Sequence, residues 1–428
     1  MLAGRSLPLL LSASALFATW FGSETVFGAS SEFLQGGLYS VIEDPFGAAL
    51  CLILFGLFFA RKLYSMNLLT LVDFFKVRFG KRTELVAGVF IIPSYVGYIA
   101  AQLLAMGLIL NVVTDMAVWQ GVIVSAMVVT FYTYIGGMWA ISITDFIQSI
   151  VIIGGLVVLA VSLSIKAGGV SVVLSEAPPE TFRFLPEANL KDTVGYLAAW
   201  SVLGLGSIPS QDVFQRVMSS GTVNTAVRSC FIAAFMYLTI AMLPLFISLC
   251  VKHLYPEFAL GDAQLVLPSM VLSHAAMPVQ VLFFGSLLSA IMSTTSSAIL
   301  APAAIFSENL MKPLTKDRLT DKQLLRVTRI SVLGFSILAT VMASIRTNIY
   351  ELVGESSIIS LVSLFAPLTF GLYWKKASAT GALLSMVLGT FTWFVFEQME
   401  SGWPSLVPGL LVSVAAMIIG SRVWSKKI

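Results

Sequence analysis

Residues 139–159 read W-A-I-S-I-T-D-F-I-Q-S-I-V-I-I-G-G-L-V-V-L, and the one acidic side chain in that apolar run is Asp145. A later run, F-F-G-S-L-L-S-A-I-M-S-T-T-S-S-A-I-L, carries five consecutive hydroxyls from Ser293 to Ser297. A lipid environment penalises polar groups without partners, so both features need something to bind. Carboxylate, hydroxyl and carbonyl oxygens together are the ligands of a small hard cation. Ser293, Ser296 and Ser297 are spaced i, i+3, i+4, which sets them on one helix face, while Thr294 turns to the next. One helix can thus offer oxygens to two adjacent cation sites. The competing readings are local. Each hydroxyl can bond back to the carbonyl four residues earlier, and Asp145, beside Thr144, can cap the start of its own helix.

The elements that position these residues are membrane helices. The chain has 428 residues, 57% hydrophobic and 11% charged, against about 25% charged in soluble domains. Its mean hydropathy is +0.92. About twelve segments reach the roughly 20 apolar residues that a span requires. They fall near 8–33, 44–64, 83–112, 117–137, 140–165, 193–213, 225–251, 277–305, 324–345, 349–373, 379–397 and 404–424. With the N-terminus in the cytoplasm, roughly four of every five basic residues fall in inside loops. Arg216 and Arg228 are counted among them, as are Lys426 and Lys427 at the end. Both termini are then cytoplasmic, in a plasma membrane, with a bacterial inner membrane the expected one. A net charge of +3 gives no reason to expect nucleic acid. Cys51, Cys230, Cys250, His253 and His274 lack metal-ligand spacing and read as buried packing residues. No nucleophile triad, metal motif or phosphate loop suggests an enzyme.

Two spans are interrupted. The first reads A-T-W-F-G-S-E-T-V-F-G, with Gly22 and Gly28 around Ser23, Glu24 and Thr25. The sixth reads L-G-L-G-S-I-P-S-Q-D-V-F-Q, broken by Gly204, Gly206 and Pro209. Breaks five spans apart fit two five-helix halves in inverted orientation, about 8–165 and 193–373, with two extra helices at about 379–424. The unwound first span would free carbonyls near Ala18 and Phe21 for Na⁺. Glu24 reads equally as a partner for a cationic or zwitterionic solute or for freed backbone donors. Solute is expected beside Trp20 and the first-span break, and Gln102, Gln211 and Asp212 are candidate solute contacts of lower weight. Asp44 reads as a helix cap.

The stretches L-A-G-R-S-L-P, A-T-W-F-G, Y-I-G-G-M-W-A-I-S-I-T-D-F-I-Q, A-I-M-S-T-T-S-S and I-F-S-E-N resemble those of the sodium/solute symporter family, in order and over essentially the whole chain. The resemblance implies an all-α membrane protein with the leucine-transporter-like fold. It implies a sodium site from the carbonyls of Ala18, Phe21 and Ala290 with the hydroxyls of Ser293 and Thr294. A second sodium, held in some members, would use Asp145, Ser293, Ser296 and Ser297. The family's L-A-G-R-S-L-P-type loop follows a further N-terminal helix, which this chain is expected to lack. E-D-P-F-G, T-L-V-D-F-F and I-P-S-Q-D-V-F-Q-R-V-M-S-S are similar to the choline-transporting branch. That branch cages its quaternary ammonium in aromatic rings. Trp20 matches one wall, but Ala48, Ala100 and Ser210 stand at the others, so the substrate does not follow from the branch. The expected function is sodium-driven uptake of a small polar solute, such as proline, another amino acid or a related zwitterion or amine, by a functional monomer. The alternative is a transporter-like sensor signalling through a partner protein.

Overall fold

The computed structural model describes residues 3–135, 138–316, 318–399 and 402–423. Gly136 and Gly137 of the Y-I-G-G stretch, and the terminal Lys426 and Lys427, lie outside the described residues. Among the described residues the regular structure is helical, and nine helical stretches are long and apolar enough to cross a membrane. Side chains such as Phe131, Ile337 and Phe391 are more than half exposed on the outer helices, a surface suited to lipid.

Helix α1 (Leu9–Phe17) follows Pro8, whose extended backbone sets the helix start. The chain then turns through 18–22 and resumes as α2 over 24–36. A Thr-Trp-Phe-Gly-Ser run has little helix propensity, and the carbonyls it frees find partners. Ala18 O accepts from Thr294 Oγ1 at 2.9 Å, and Thr19 O accepts from the Tyr98 hydroxyl at 2.5 Å. Helix α3 (42–65) opens at Glu43 and Asp44. A short helix, α4 (Val72–Phe79), leads into α5 (Lys81–Thr114), which at 1.5 Å per residue is about 51 Å long. Helices α6 (Val118–Ile135) and α7 (Met138–Lys166) complete the first half, the latter carrying Asp145.

The second interruption separates α8 (Leu190–Gly206) from α9 (Gln211–Met218). Asn189 caps α8 by accepting from Asp192 N at 2.8 Å. The helix ends where Gly206 passes a neighbouring backbone: a Cβ there would lie 2.5 Å from Ser357 O. Pro209 then has no N–H to continue the ladder. The segment 193–213, expected as one broken span, is therefore two helices meeting at 207–210. Helix α10 (Val223–Leu254), α11 (Met277–Leu314), α12 (Asp321–Ile345) and α13 (Ile349–Tyr373) follow. The last pair, α14 (Ala379–Gln398) and α15 (Leu406–Val423), meets through small residues: a Cβ on Gly420 would lie 2.7 Å from Gly381 Cα.

Candidate ion and solute sites

Helix α11 crosses the first-span break and α7, and the hydroxyl run is where it touches both. Ser293 Oγ donates to Asp145 Oδ1 at 2.6 Å, joining residues 148 apart in sequence. Thr294, turned one step around the helix, reaches Ala18 O instead. The two hydroxyls thus point to different neighbours, as their spacing requires. Thr295 bonds back to Ile291 O at 2.5 Å and Ser297 to Ser293 O at 3.2 Å, the local pattern that competes with ion binding. Ser296 Oγ is buried with no hydrogen-bond partner. Ala18, Phe21 and Ala290 are all buried along this seam. These oxygens have the chemistry of a sodium site: carbonyls, hydroxyls and one carboxylate, converging from a broken helix and two others.

Sequence reasoning missed Arg216. Counted as a loop charge, it is 2% exposed. Its Nη2 lies 3.7 Å from Asp145 Oδ2 and donates to Ser297 Oγ at 3.2 Å. It gets there because α9 is short and turns inward after Pro209, so its last turn enters the protein. The available signal was the i, i+4 pair Asp212 and Arg216 on an eight-residue helix. Asp145 therefore has a cation of the protein's own beside it, and its helix-cap reading loses its purpose.

Beside the same break lies a small, partly open cavity of about 40 Å³. Trp20 forms one wall, Ser94, Tyr95 and Tyr98 of α5 another, and Ser207, Ser210 and Asp212 a third. Ser356, Ser357 and Ser360 of α13 close it. The Tyr95 hydroxyl donates to Asp212 Oδ1 at 2.8 Å and accepts from Asp212 N at 2.9 Å. Ala48 and Ala100 are fully buried and do not line this cavity, but Tyr95 and Tyr98 supply two rings that the alignment of cage positions did not suggest. Their signal was the i, i+3 spacing of two tyrosines inside an apolar helix.

Of the solute contacts expected from sequence, Trp20 and Asp212 line the cavity, while Glu24, Gln102 and Gln211 do not. Gln211 turns away because its carbonyl accepts from Leu71 N at 2.7 Å, fastening α9 to the chain before α4. Nearby, Asn309 of the S-E-N stretch donates to Asp73 Oδ1 at 2.8 Å and Glu84 Oε1 at 2.9 Å. These bonds join α11 to α4 and α5. Gln102 is buried with neither side-chain polar atom bonded. Glu24 and Asp44 lie together elsewhere: Thr25 Oγ1 donates to Asp44 Oδ2 at 2.7 Å, so Asp44 is not simply a helix cap.

A helical membrane protein with two interrupted spans, convergent oxygens at one break and a hydroxyl-lined cavity beside it is a secondary transporter of the leucine-transporter-like class. The sodium:solute symporter family profile matches residues 1–389, and the chain belongs to that family. It is 30% identical over 405 residues to high affinity choline transporter 1 of Homo sapiens, covering 91% of this chain and 69% of that protein. It is 27% identical over 376 residues to the osmoregulated proline transporter of Bacillus subtilis, covering 84% and 75%. Its fold resembles that of a substrate-bound, outward-open Na⁺-coupled sialic acid symporter, with a TM-score of 0.82 at 19% identity, covering 99% of this chain and 92% of that one. The chain is a sodium-coupled symporter, not an enzyme.

Proposed function

We propose that this symporter takes up a small organic solute carrying a protonated amine, an amino acid such as proline or a related zwitterion or amine. The observation that carries the reading is the carboxylate of Asp212 in the wall of a cavity lined by serine hydroxyls, three aromatic rings, Leu203, Gly206 and Val353. An ammonium N–H would donate to Asp212 and the serines, with Trp20, Tyr95 and Tyr98 packing on the apolar part of the solute. A quaternary ammonium such as choline has no N–H to donate, so its charged end could not bond these acceptors as an ammonium would.

Sodium would bind between Ala18, Phe21, Ala290, Ser293 and Thr294, bracing the broken first span against α11. Replacing the Thr294–Ala18 hydrogen bond by two bonds to the ion would couple sodium to the shape of the solute cavity. A second sodium at Asp145, Ser293, Ser296 and Ser297 would have to share that space with Arg216. We read 8–165 and 193–373 as the two repeats, the chain as a monomer in a bacterial inner membrane, and both termini as cytoplasmic. The sensor reading draws no support from the family or its structural neighbours.

Uptake of labelled amino acids, amines and choline into proteoliposomes, with Na⁺ or K⁺ outside, tests this. Sodium-dependent uptake of an amine-bearing solute, lost in Asp212→Asn, is expected. Sodium-driven accumulation that is indifferent to Asp212→Asn and selects a solute without an amine would refute the substrate class.

A further inference from the structure

The ion chemistry at the hydroxyl run leaves a second group of buried acids unexplained. Glu24 opens α2 and is 2% exposed; Asp44 at the start of α3 is fully buried. Thr25 Oγ1 occupies Asp44 Oδ2, and the Asp44 N–H donates to the Tyr350 hydroxyl at 3.3 Å. Two carboxylate oxygens, Glu24 Oε2 and Asp44 Oδ1, remain buried and without a hydrogen-bond partner. Among the described residues, neither acid makes an ion pair with a Lys, Arg or His.

A separate residue points at the same place. Tyr237 of α10 is fully buried, its ring packed edge-on against Phe17, Trp20 and Phe21. Its hydroxyl is buried and makes no hydrogen bond of ordinary length, although Thr25, the residue that holds Asp44, lies beside it. Ser23 Oγ, next to Glu24, is buried and unbonded as well. Two carboxylate oxygens and two hydroxyls buried without partners, on residues packed around the start of the first span, are an arrangement an apolar interior does not tolerate without a ligand. The ligand is of ionic size, since each of these oxygens is closed off from solvent and neither acid nor Tyr237 lines the solute cavity. The donor set is oxygen only: two carboxylates, one alcohol and one phenol, which suits an alkali cation.

We propose that Glu24, Asp44, Ser23 and Tyr237 form a site for a small monovalent metal cation, distinct from the oxygens of α7 and α11. It lies where α2, the second half of the interrupted first span, meets α3 and α10. A cation there would fasten α2 to α3 and α10, so its occupancy would bias the span's position. The site does not rest on the amine-bearing solute proposed above. Protons compete for the same carboxylates. The titratable groups facing them are Glu43, Glu32 beyond it, and the phenols of Tyr98, Tyr237 and Tyr350.

The test is ²²Na⁺ binding to the purified full chain in lipid nanodiscs, without solute, at about pH 6 and about pH 8.5, on either side of a buried carboxylate's range. Wild type should bind more sodium at the higher pH. Glu24→Gln and Asp44→Asn should each lose that increment, or weaken it by about tenfold or more, while keeping the sodium bound through Thr294. Thr294→Ala should do the reverse. Should the carboxamide variants not fold, Tyr237→Phe decides, since it removes only a hydroxyl. It should weaken the pH-dependent component by a few fold, and an unchanged isotherm overturns the site. Isotherms of Glu24→Gln and Asp44→Asn that match wild type at both pH values also overturn it, whatever protons the acids take up.

Discussion

Two buried acid centres adjoin the interrupted first span, and they are neutralised differently. Asp145 has Arg216 at 3.7 Å and Ser293 at 2.6 Å. Glu24 and Asp44 have a threonine, a tyrosine backbone contact and unpaired oxygens, with no basic side chain. The first centre is balanced when empty of ions. The second must take up a proton or a cation to be balanced at all. A built-in counter-ion makes a centre structurally independent of solution conditions, whereas its absence ties the centre to them.

The largest effect expected is at the balanced centre. Arg216→Gln would strand the Asp145 carboxylate and cost about 3 kcal/mol of stability, the usual range for one partner removed from a buried pair. Adding Asp145→Asn removes the stranded charge and should recover much of the loss. Thermal unfolding in nanodiscs checks both. If the double variant is as unstable as Arg216→Gln, Arg216 acts through packing and its hydrogen bond to Ser297, and the contrast between the centres fails.

Next in size is the sodium seam. Thr294→Ala and Ser293→Ala each remove one ligand and should weaken sodium by about tenfold, roughly 1.4 kcal/mol. Stability without sodium should change less. Sodium titrations of solute uptake measure this, and unchanged sodium dependence in both variants would remove the seam from the ion path. Ser293→Ala should cost more stability than Thr294→Ala, because it also takes a hydrogen bond from Asp145.

How the two centres read in sequence follows from their geometry. Asp145 and the hydroxyl run stood out because one acid in an apolar span and five adjacent hydroxyls violate the composition of their own segments. Their meeting was legible because i, i+3, i+4 spacing fixes a face. Arg216 was not, since a basic residue between two expected spans looks like a loop charge unless one knows that α9 turns inward. The break in the first span was visible in Gly22 and its polar neighbours, but Glu24 and Asp44 are separated by a turn whose path the sequence does not specify. Gln211 was misplaced for a simpler reason: an amide beside a break can face either the cavity or the backbone of Leu71, and a period of 3.6 cannot choose on so short a helix.

A smaller effect sharpens the other side. In sodium-free buffer Asp44→Asn should be neutral or stabilising, by at most about 1–2 kcal/mol, because it removes a buried charge that no basic group balances. Chemical or thermal unfolding at neutral pH in N-methylglucamine buffer, which holds no alkali cation, reads it. A loss as large as that of Arg216→Gln would show that Asp44 has a partner of equal strength, and the two centres would then be alike.

The smallest effect bears on whether a second sodium fits beside Arg216. Ser296 Oγ is buried and unbonded, on the helix face that holds Ser293 and Ser297. If nothing ever binds it, Ser296→Ala deletes an unsatisfied hydroxyl, which should leave stability unchanged or raise it by up to about 1 kcal/mol. Sodium dependence would then be unaffected. If a second sodium enters, the guanidinium must withdraw from Asp145 Oδ2 and Ser297 Oγ, and Ser296 becomes a ligand when it does. Ser296→Ala would then lower the Hill coefficient for sodium-driven uptake toward one, as would Asp145→Asn, while Thr294→Ala would weaken affinity without changing the coefficient. Measuring sodium-to-solute flux ratios for wild type, Ser296→Ala and Asp145→Asn in the same vesicles separates the cases. Equal ratios in all three mean that Arg216 holds the place permanently. A ratio that falls by one sodium in both variants means that Arg216 gives way to the ion, and that the balanced centre is exchangeable after all.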